Sequence, residues 1–241
     1  MGGRPNRQNL VGAAWTLVDS LKILENARHE LLGTVRRMIP DNGNRVPGDL
    51  SIGLPSKVEA FLPEGTWTML RPTLDVVRDL DRRIHYFRQG IERLADTYFP
   101  ETWALRQVPP VTPIAALCYV LVIGNPRRFR NSRSIGPYLY LTEVQSLDKY
   151  SLLTPQGNEA RRELVGKQLI DIAKKILRQD GPDSDLKSWG LQLSTRRENG
   201  DRTVAVTAVA RKLAVLLHHL WITGKDYRPY PRRLERYSWA T

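Results

Sequence analysis

Two stretches of the chain share one hydrophobic rhythm. In the first, Leu10, Ala14, Leu17, Leu21, Leu24, Arg28, Leu31, Val35 and Met38 alternate by four and three residues, the spacing that keeps one helix face turned toward a partner. Pro40 and the turn sequence Asp41-Asn42-Gly43-Asn44 end it. The rhythm returns at Leu70, Thr73, Val77, Leu80, Ile84, Phe87, Ile91, Leu94 and Tyr98 and stops at Pro100. Residues 40–66 between them are rich in proline and glycine and read as a connector, with one short helix expected over Ser56 to Leu62. Each seam corresponds to about 45 Å of helix at a rise of about 1.5 Å per residue. The connector is long enough to reverse the chain, so residues 1–100 are expected to form an antiparallel helical hairpin or to pair with a second copy. Arg28 is the charged residue of the first seam and reads as a register or solvent-facing position. Phe87 and Tyr98 fall on the second seam and read as packing residues.

After Pro100 the apolar runs shorten, and helices are expected over Ile114 to Ile123, Ser132 to Leu141, Asn158 to Arg178, Asp183 to Ser194 and Thr203 to Thr223. Pro109-Pro110, Gly124-Asn125-Pro126, Thr154-Pro155 and Asp180-Gly181-Pro182 punctuate them. Strand-like alternation is absent. The expectation is an all-α fold in which the hairpin is followed by a helical domain over 101–226 and a basic arm over 227–241. In that arm Arg228, Arg232, Arg233 and Arg236 stand among Tyr230, Tyr237 and Trp239, a composition expected to be a flexible arm until it meets a partner.

Charge separates the two parts. The chain carries a formal net charge of +12; up to Leu105 there are 14 Lys+Arg against 13 Asp+Glu, and after it 23 against 12. An excess confined to one half repels itself unless a polyanion is near, which points to nucleic acid. No stretch in the sequence reads as about 20 apolar residues, the length of a membrane span, and Met1 to Gln8 is polar with no signal-peptide core behind it. A soluble, intracellular protein is therefore expected. The single cysteine, Cys118, lies inside an apolar run, which excludes an internal disulfide or a thiolate cluster and suggests simple packing.

The acidic residues look unsuited to metal-dependent hydrolysis, which needs several carboxylates converging from different elements. Asp75, Asp79 and Asp81 interleave with Arg78, Arg82 and Arg83 as on a solvated, ion-paired helix face. His218 and His219 are adjacent and point about 100° apart on a helix, so they cannot grip one metal together; His29 and His85 stand alone. No metal, cofactor or complete catalytic site is expected. The basic residues form a better constellation. Arg127, Arg128, Arg130 and Arg133 follow the Gly124-Asn125-Pro126 turn, beside Asn131, Ser132 and Ser134, which can donate to phosphate or cap the next helix. Arg161, Arg162, Lys167, Lys174, Lys175 and Arg178 recur along the helix after Asn158, the trio Lys167, Lys174 and Arg178 as one stripe. Arg196, Arg197 and Arg202 surround Asn199-Gly200, Arg211 and Lys212 sit on the last long helix, and Arg232 and Arg233 are in the arm. Together these residues predict a surface that tracks phosphates.

Several ordered motifs sharpen this reading. They are Leu105-Arg106-Gln107-Val108-Pro109, Gly124-Asn125-Pro126-Arg127-Arg128-Phe129 and Gly136-Pro137-Tyr138-Leu139; then Thr154, Gly157-Asn158 and Arg162; then Gly181-Pro182-Asp183-Ser184-Asp185-Leu186; and the run Ala208 to Leu217. On these, the stretch from about Asn26 through Tyr230 resembles the coiled coil and C-terminal serine domain of bridge-RNA-guided insertion-sequence transposases. The sequence departs from that family in three places. Pro109-Pro110-Val111-Thr112 stands where the family has a Pro-Gly-Val-Gly hairpin, Tyr140 replaces a small residue, and Ser146, which matches the nucleophilic serine, is followed by Leu147 rather than glycine. The RuvC-like DEDD domain has no counterpart, since Met1 begins almost at the coiled coil.

The architecture also resembles the Nop domains of box C/D ribonucleoproteins and the TIGR-associated (Tas) proteins. These resemblances imply a guide-RNA-binding homodimer, joined through its coiled coil, that is directed to target DNA in the cytoplasm of a prokaryotic or phage-infected cell. The alternative they imply is a truncated or domesticated transposase acting through Ser146. A DNA-binding regulator without RNA is a third reading.

Overall fold

The computed structural model describes residues 6–38, 64–141, 157–195 and 202–230, and all regular structure among them is helical. The chain divides into two compact units, Met1–Leu94 and Ala95–Thr241.

Unit 1 holds α1 (Arg7–Met38) and most of α2 (Glu64–Tyr98). Helix α2 starts inside the expected connector and runs through Gly65 and Pro72, two residues that disfavour helix interiors. Packing accounts for the difference, because Leu70, Leu74 and Val77 form a buried cluster with Leu32 and Val35 of α1, and Trp67 lies against it. Across the two helices Arg28 Nε donates to Asp81 at 2.5 Å and Arg88 donates to Glu25 at 2.6 Å. Partner numbers fall along α2 as they rise along α1, so the pair is antiparallel. The expected helix over Ser56 to Leu62 lies outside the described residues.

The buried positions correct the seam by one residue on one side. Ala14, Leu21 and Val35, like Leu70, Val77, Ile84 and Ile91, are buried as expected, but Val18, Leu32 and Leu74 are buried where Leu17, Leu31 and Thr73 were expected. The heptad alternation is completed by Glu25 and Arg28 on α1 and by Asp81 and Arg88 on α2, the four residues of the two ion pairs. Phe87 is half-buried and Tyr98 is exposed, so neither is a core residue.

Unit 2 is built on its final helix. After α3 (Thr102–Arg106) come α4 (Pro113–Ile123), two single 3-10 turns (Pro126–Arg128 and Ser132–Ser134), α5 (Ile135–Tyr138), α6 (Asn158–Ile176), α7 (Asp185–Thr195) and α8 (Arg202–Thr223). The expected helix over Ser132 to Leu141 is thus a 3-10 turn followed by one α-turn, because Gly136-Pro137 shortens it. Helix α8 packs against α3, α5, α6, α7 and both 3-10 turns, burying Ala205, Val209, Ala210, Leu213, Ala214, Leu216, Leu217 and Leu220.

Contrary to the sequence reading, α8 has the length and composition of a membrane span. Most of its apolar residues are buried within its own unit, although Ile222 near its end is exposed. Helix α4 is buried nearly all round; Cys118 sits in it, and the Tyr119 hydroxyl donates to the Ala214 carbonyl at 2.8 Å. Burial pushes the Tyr119 phenol well up, which keeps it a neutral donor.

Candidate nucleic-acid interface

The segment from Gly124 to Leu141 owes its shape to two asparagines and one histidine. Gly124 ends α4 in a left-handed conformation (φ 66°). Asn125 then accepts the Arg127 N–H with its side chain at 3.0 Å, and Asn131 accepts the Arg133 N–H at 2.8 Å. Each asparagine thereby caps a tight turn whose exposed face carries arginines.

Both turns are fastened to α8 by the same imidazole. His218 Nε2 is 2.9 Å from the Pro126 carbonyl and its Nδ1 is 2.9 Å from the Ser132 hydroxyl. A carbonyl only accepts, so Nε2 carries the proton and Nδ1 accepts from Ser132. The ring of Phe129 meets His218 edge-on at 5.9 Å and Tyr138 at 5.2 Å, filling the space between the turns. Burial holds His218 below the ordinary histidine range, as it does His219, so the clamp is a neutral imidazole.

Arg127, Arg128, Arg130 and Arg133 are all exposed on this scaffold. Among the described residues no carboxylate pairs with Arg127, Arg128 or Arg130, whereas other cations of the molecule have close acidic neighbours. The Arg128 guanidinium lies 4.7 Å from the ring centres of Phe129 and Tyr138. Arg162 comes to the other participants from α6, at 5.0 Å from the Tyr138 ring and 5.6 Å from the Tyr140 ring. Gly166, one turn further along α6, makes this approach possible, since a Cβ there would collide with the Leu139 carbonyl. Arg211 closes the far end by donating to the Leu141 carbonyl.

The other expected site residues are placed differently. Lys167 pairs with Glu163 at 2.5 Å, Lys174 with Asp171 at 3.0 Å and Arg178 with Asp180 at 2.9 Å, so each member of the stripe has its own carboxylate. The bond from Arg178 holds the exposed Asp180 carboxyl below its ordinary range. Lys175 is exposed beside Lys174, Arg161 is half-buried on α6, and Arg202 is exposed in the first turn of α8. Lys212 is half-buried with its ammonium 3.8 Å from the Trp189 ring centre, and burial lowers its pKa. Arg211 and Lys212 thus make packing contacts inside the unit in addition to whatever they offer outside it. Ser146, Arg196, Arg197, Arg232 and Arg233 lie outside the described residues.

The structure also gives physical roles to motifs that sequence had only matched. Ser184 accepts the Lys187 N–H at 3.2 Å, capping α7. The nearly buried Lys187 ammonium binds the carbonyls of Gln179 and Gly181 and the carboxylate of Asp183, tying the end of α6 to the start of α7. Thr112, where a glycine was expected by resemblance, caps α4 by accepting the Ala115 N–H at 3.3 Å. The C-terminal arm begins as a docked strap rather than a free one: the Asp185 backbone N–H donates to the Pro229 carbonyl at 2.9 Å, and the Tyr227 backbone N–H donates to the Gln107 side-chain carbonyl at 2.8 Å.

Among the described residues no group of three His, Cys, Asp or Glu is placed to hold a metal ion. Asp75 and Asp79 pair with Arg78 and Arg82 along α2, as the sequence pattern indicates, while Asp81 turns to Arg28 instead. No family model matches the chain, and no curated protein matches it.

Proposed function

We propose that this chain binds RNA through the Arg127–Arg133 face of its basic helical unit and, in line with the resemblance to the guide-binding proteins described above, carries that RNA as a guide to DNA. One observation carries the reading: Arg127 and Arg128 stand on the first clamped turn and Arg130 between it and the second, with no carboxylate to neutralise them among the described residues. Uncompensated guanidinium groups on a fixed backbone suit phosphate, two of whose oxygens can accept paired N–H bonds from one guanidinium as a carboxylate does. Pairing between guide and target would read sequence, and the protein would read shape and backbone.

A second copy is proposed as the partner of the coiled coil. Met69 and Val76 lie on one line of α2 and are 82% and 50% exposed, and Ile23 is exposed on α1, so apolar surface remains on the outside of unit 1. Replacing Met69 and Val76 together by glutamate should convert a dimer to a monomer in light scattering; an unchanged mass would remove this surface from consideration.

The function is tested by nucleic acid that co-purifies with the protein and by salt titration. Discrete short RNA is the expected companion. Replacing Arg127, Arg128 and Arg130 together by alanine should weaken RNA binding and flatten the plot of log affinity against log salt by about two units, at roughly 0.7 per lost contact on a single strand. An RNA-free protein that binds duplex DNA tightly would favour the regulator reading. Strand transfer lost on Ser146→Ala would favour the transposase.

A further inference from the structure

Within this face, four side chains converge on a small aromatic surface: Arg128 from the first 3-10 turn, Tyr138 and Tyr140 from the end of α5 and just beyond it, and Arg162 from α6. We infer that Tyr138 and Tyr140, with Arg128 and Arg162 against their rings, form a stacking platform for an unpaired base of single-stranded RNA. The inference rests on the RNA-binding reading and adds the strand state and the place of contact.

Three observations support it. First, Tyr138 is flanked by guanidinium groups from two directions in the chain, Arg128 at 4.7 Å and Arg162 at 5.0 Å, and Arg162 also reaches Tyr140 at 5.6 Å. Alternating planar cations and aromatic rings stack readily on a base, because every base presents a π-face. Second, among the described residues the carboxylate paired with Arg162 is Glu159 at 3.9 Å, a long contact in which Glu159 is mostly exposed. A phosphate next to the stacked base can replace it.

Third, Tyr140 has a left-handed backbone, φ 55°, a conformation that costs a residue with a Cβ free energy unless its surroundings enforce it. Here they do. Tyr140 N–H bonds to the Pro137 carbonyl at 3.0 Å, Leu141 N–H to the Gly136 carbonyl at 2.9 Å, and Arg211 holds the Leu141 carbonyl. Glycine would meet this backbone without strain, so the tyrosine stands at a position where the backbone by itself favours a residue without a side chain.

A paired duplex keeps its bases stacked inside, so it cannot use such a surface. This separates the platform from the phosphate contacts, which serve both forms. The probes are a short single-stranded RNA bearing one 2-aminopurine and the blunt duplex of the same sequence. Wild type and Tyr140→Phe should quench the 2-aminopurine on the single strand. Tyr140→Leu should lose the quenching and about tenfold in single-strand affinity, the order expected of one stacked base, while duplex affinity and salt slope stay unchanged.

Tyr140→Gly guards against a folding artefact, since it should keep or raise the Tm while losing the same affinity. Wild-type quenching and affinity in both the leucine and glycine variants would overturn the platform, as would equal losses on single strand and duplex. If the wild-type protein binds neither probe, the RNA-binding reading falls and the platform with it.

Discussion

The imidazole of His218 takes a carbonyl from one arginine-bearing turn and a hydroxyl from the next, and both bonds are made by its neutral form. Burial holds His218 and His219 below the pKa they would have in the unfolded chain. The unfolded chain therefore binds protons more readily than the native state once pH falls below about 6.5. Their contribution to stability is complete above that pH and is lost as pH falls through it toward the folded values. The Tm should be lower at pH 5.5 than at pH 7.5, and the difference should shrink in His218→Gln, whose amide offers one donor and one acceptor without titrating. Equal Tm values for wild type at the two pH values would contradict this. The role of His218 was not legible in the sequence. A histidine inside the apolar run of α8 looks the same whether it packs passively or fastens a loop, and its partners Pro126 and Ser132 are about ninety residues away. The arginines were legible because they cluster along the chain, and Tyr138 was visible only as part of a motif.

At the level of elements, the four-three rhythm located α1 and α2 and one edge of each seam. The other edge is shifted by one residue because the charged Glu25, Asp81 and Arg88 hold seam positions while the apolar Leu24, Leu80 and Phe87 stand beside them, and Leu17, Leu31 and Thr73 keep step with those neighbours. Charged residues occupy seam positions here because Glu25 and Arg28 meet Arg88 and Asp81 across the pair, and a partnered charge tolerates partial burial that an isolated one does not. Two predictions follow from the corrected seam. Ile84→Asp places a carboxylate at a fully buried position and should cost several kcal/mol, whereas Leu24→Asp, at a half-buried one, should cost clearly less; urea titrations followed by circular dichroism measure both. Arg28→Asp should destabilise α1 against α2, and adding Asp81→Arg should restore part of the loss by re-forming the pair with reversed polarity. No recovery in the double variant would mean that the ion pair sets neither register nor stability.

For the molecule as a whole, the all-α class was readable from periodicity and from the absence of alternation, and the one-sided charge was readable by counting. Counting could not show which cations are already paired. Lys167, Lys174 and Arg178 formed the most regular stripe in the sequence, yet acids three or four residues away, or two in the case of Asp180, attend all three. Alanine at Lys167, Lys174 and Arg178 together should therefore lower RNA affinity and flatten the salt dependence less than alanine at Arg127, Arg128 and Arg130. A larger effect from the stripe would move the binding surface to α6.

Helix α8 is made last among the described helices, although α3, α5, α6, α7 and both arginine-bearing turns pack on it. As the chain emerges residue by residue during synthesis, α6 and α7 appear with their apolar faces lacking the helix that covers them. The asparagine caps can form early, since they are local, but the two turns have no anchor until His218 has been added. A nascent chain stopped anywhere before that point carries the arginines without the surface they belong to. On the proposed function, competence to take up RNA would therefore arrive only once α8 has been made, and a ribosome stalled ahead of α8 would hold a sticky, basic and unfinished unit.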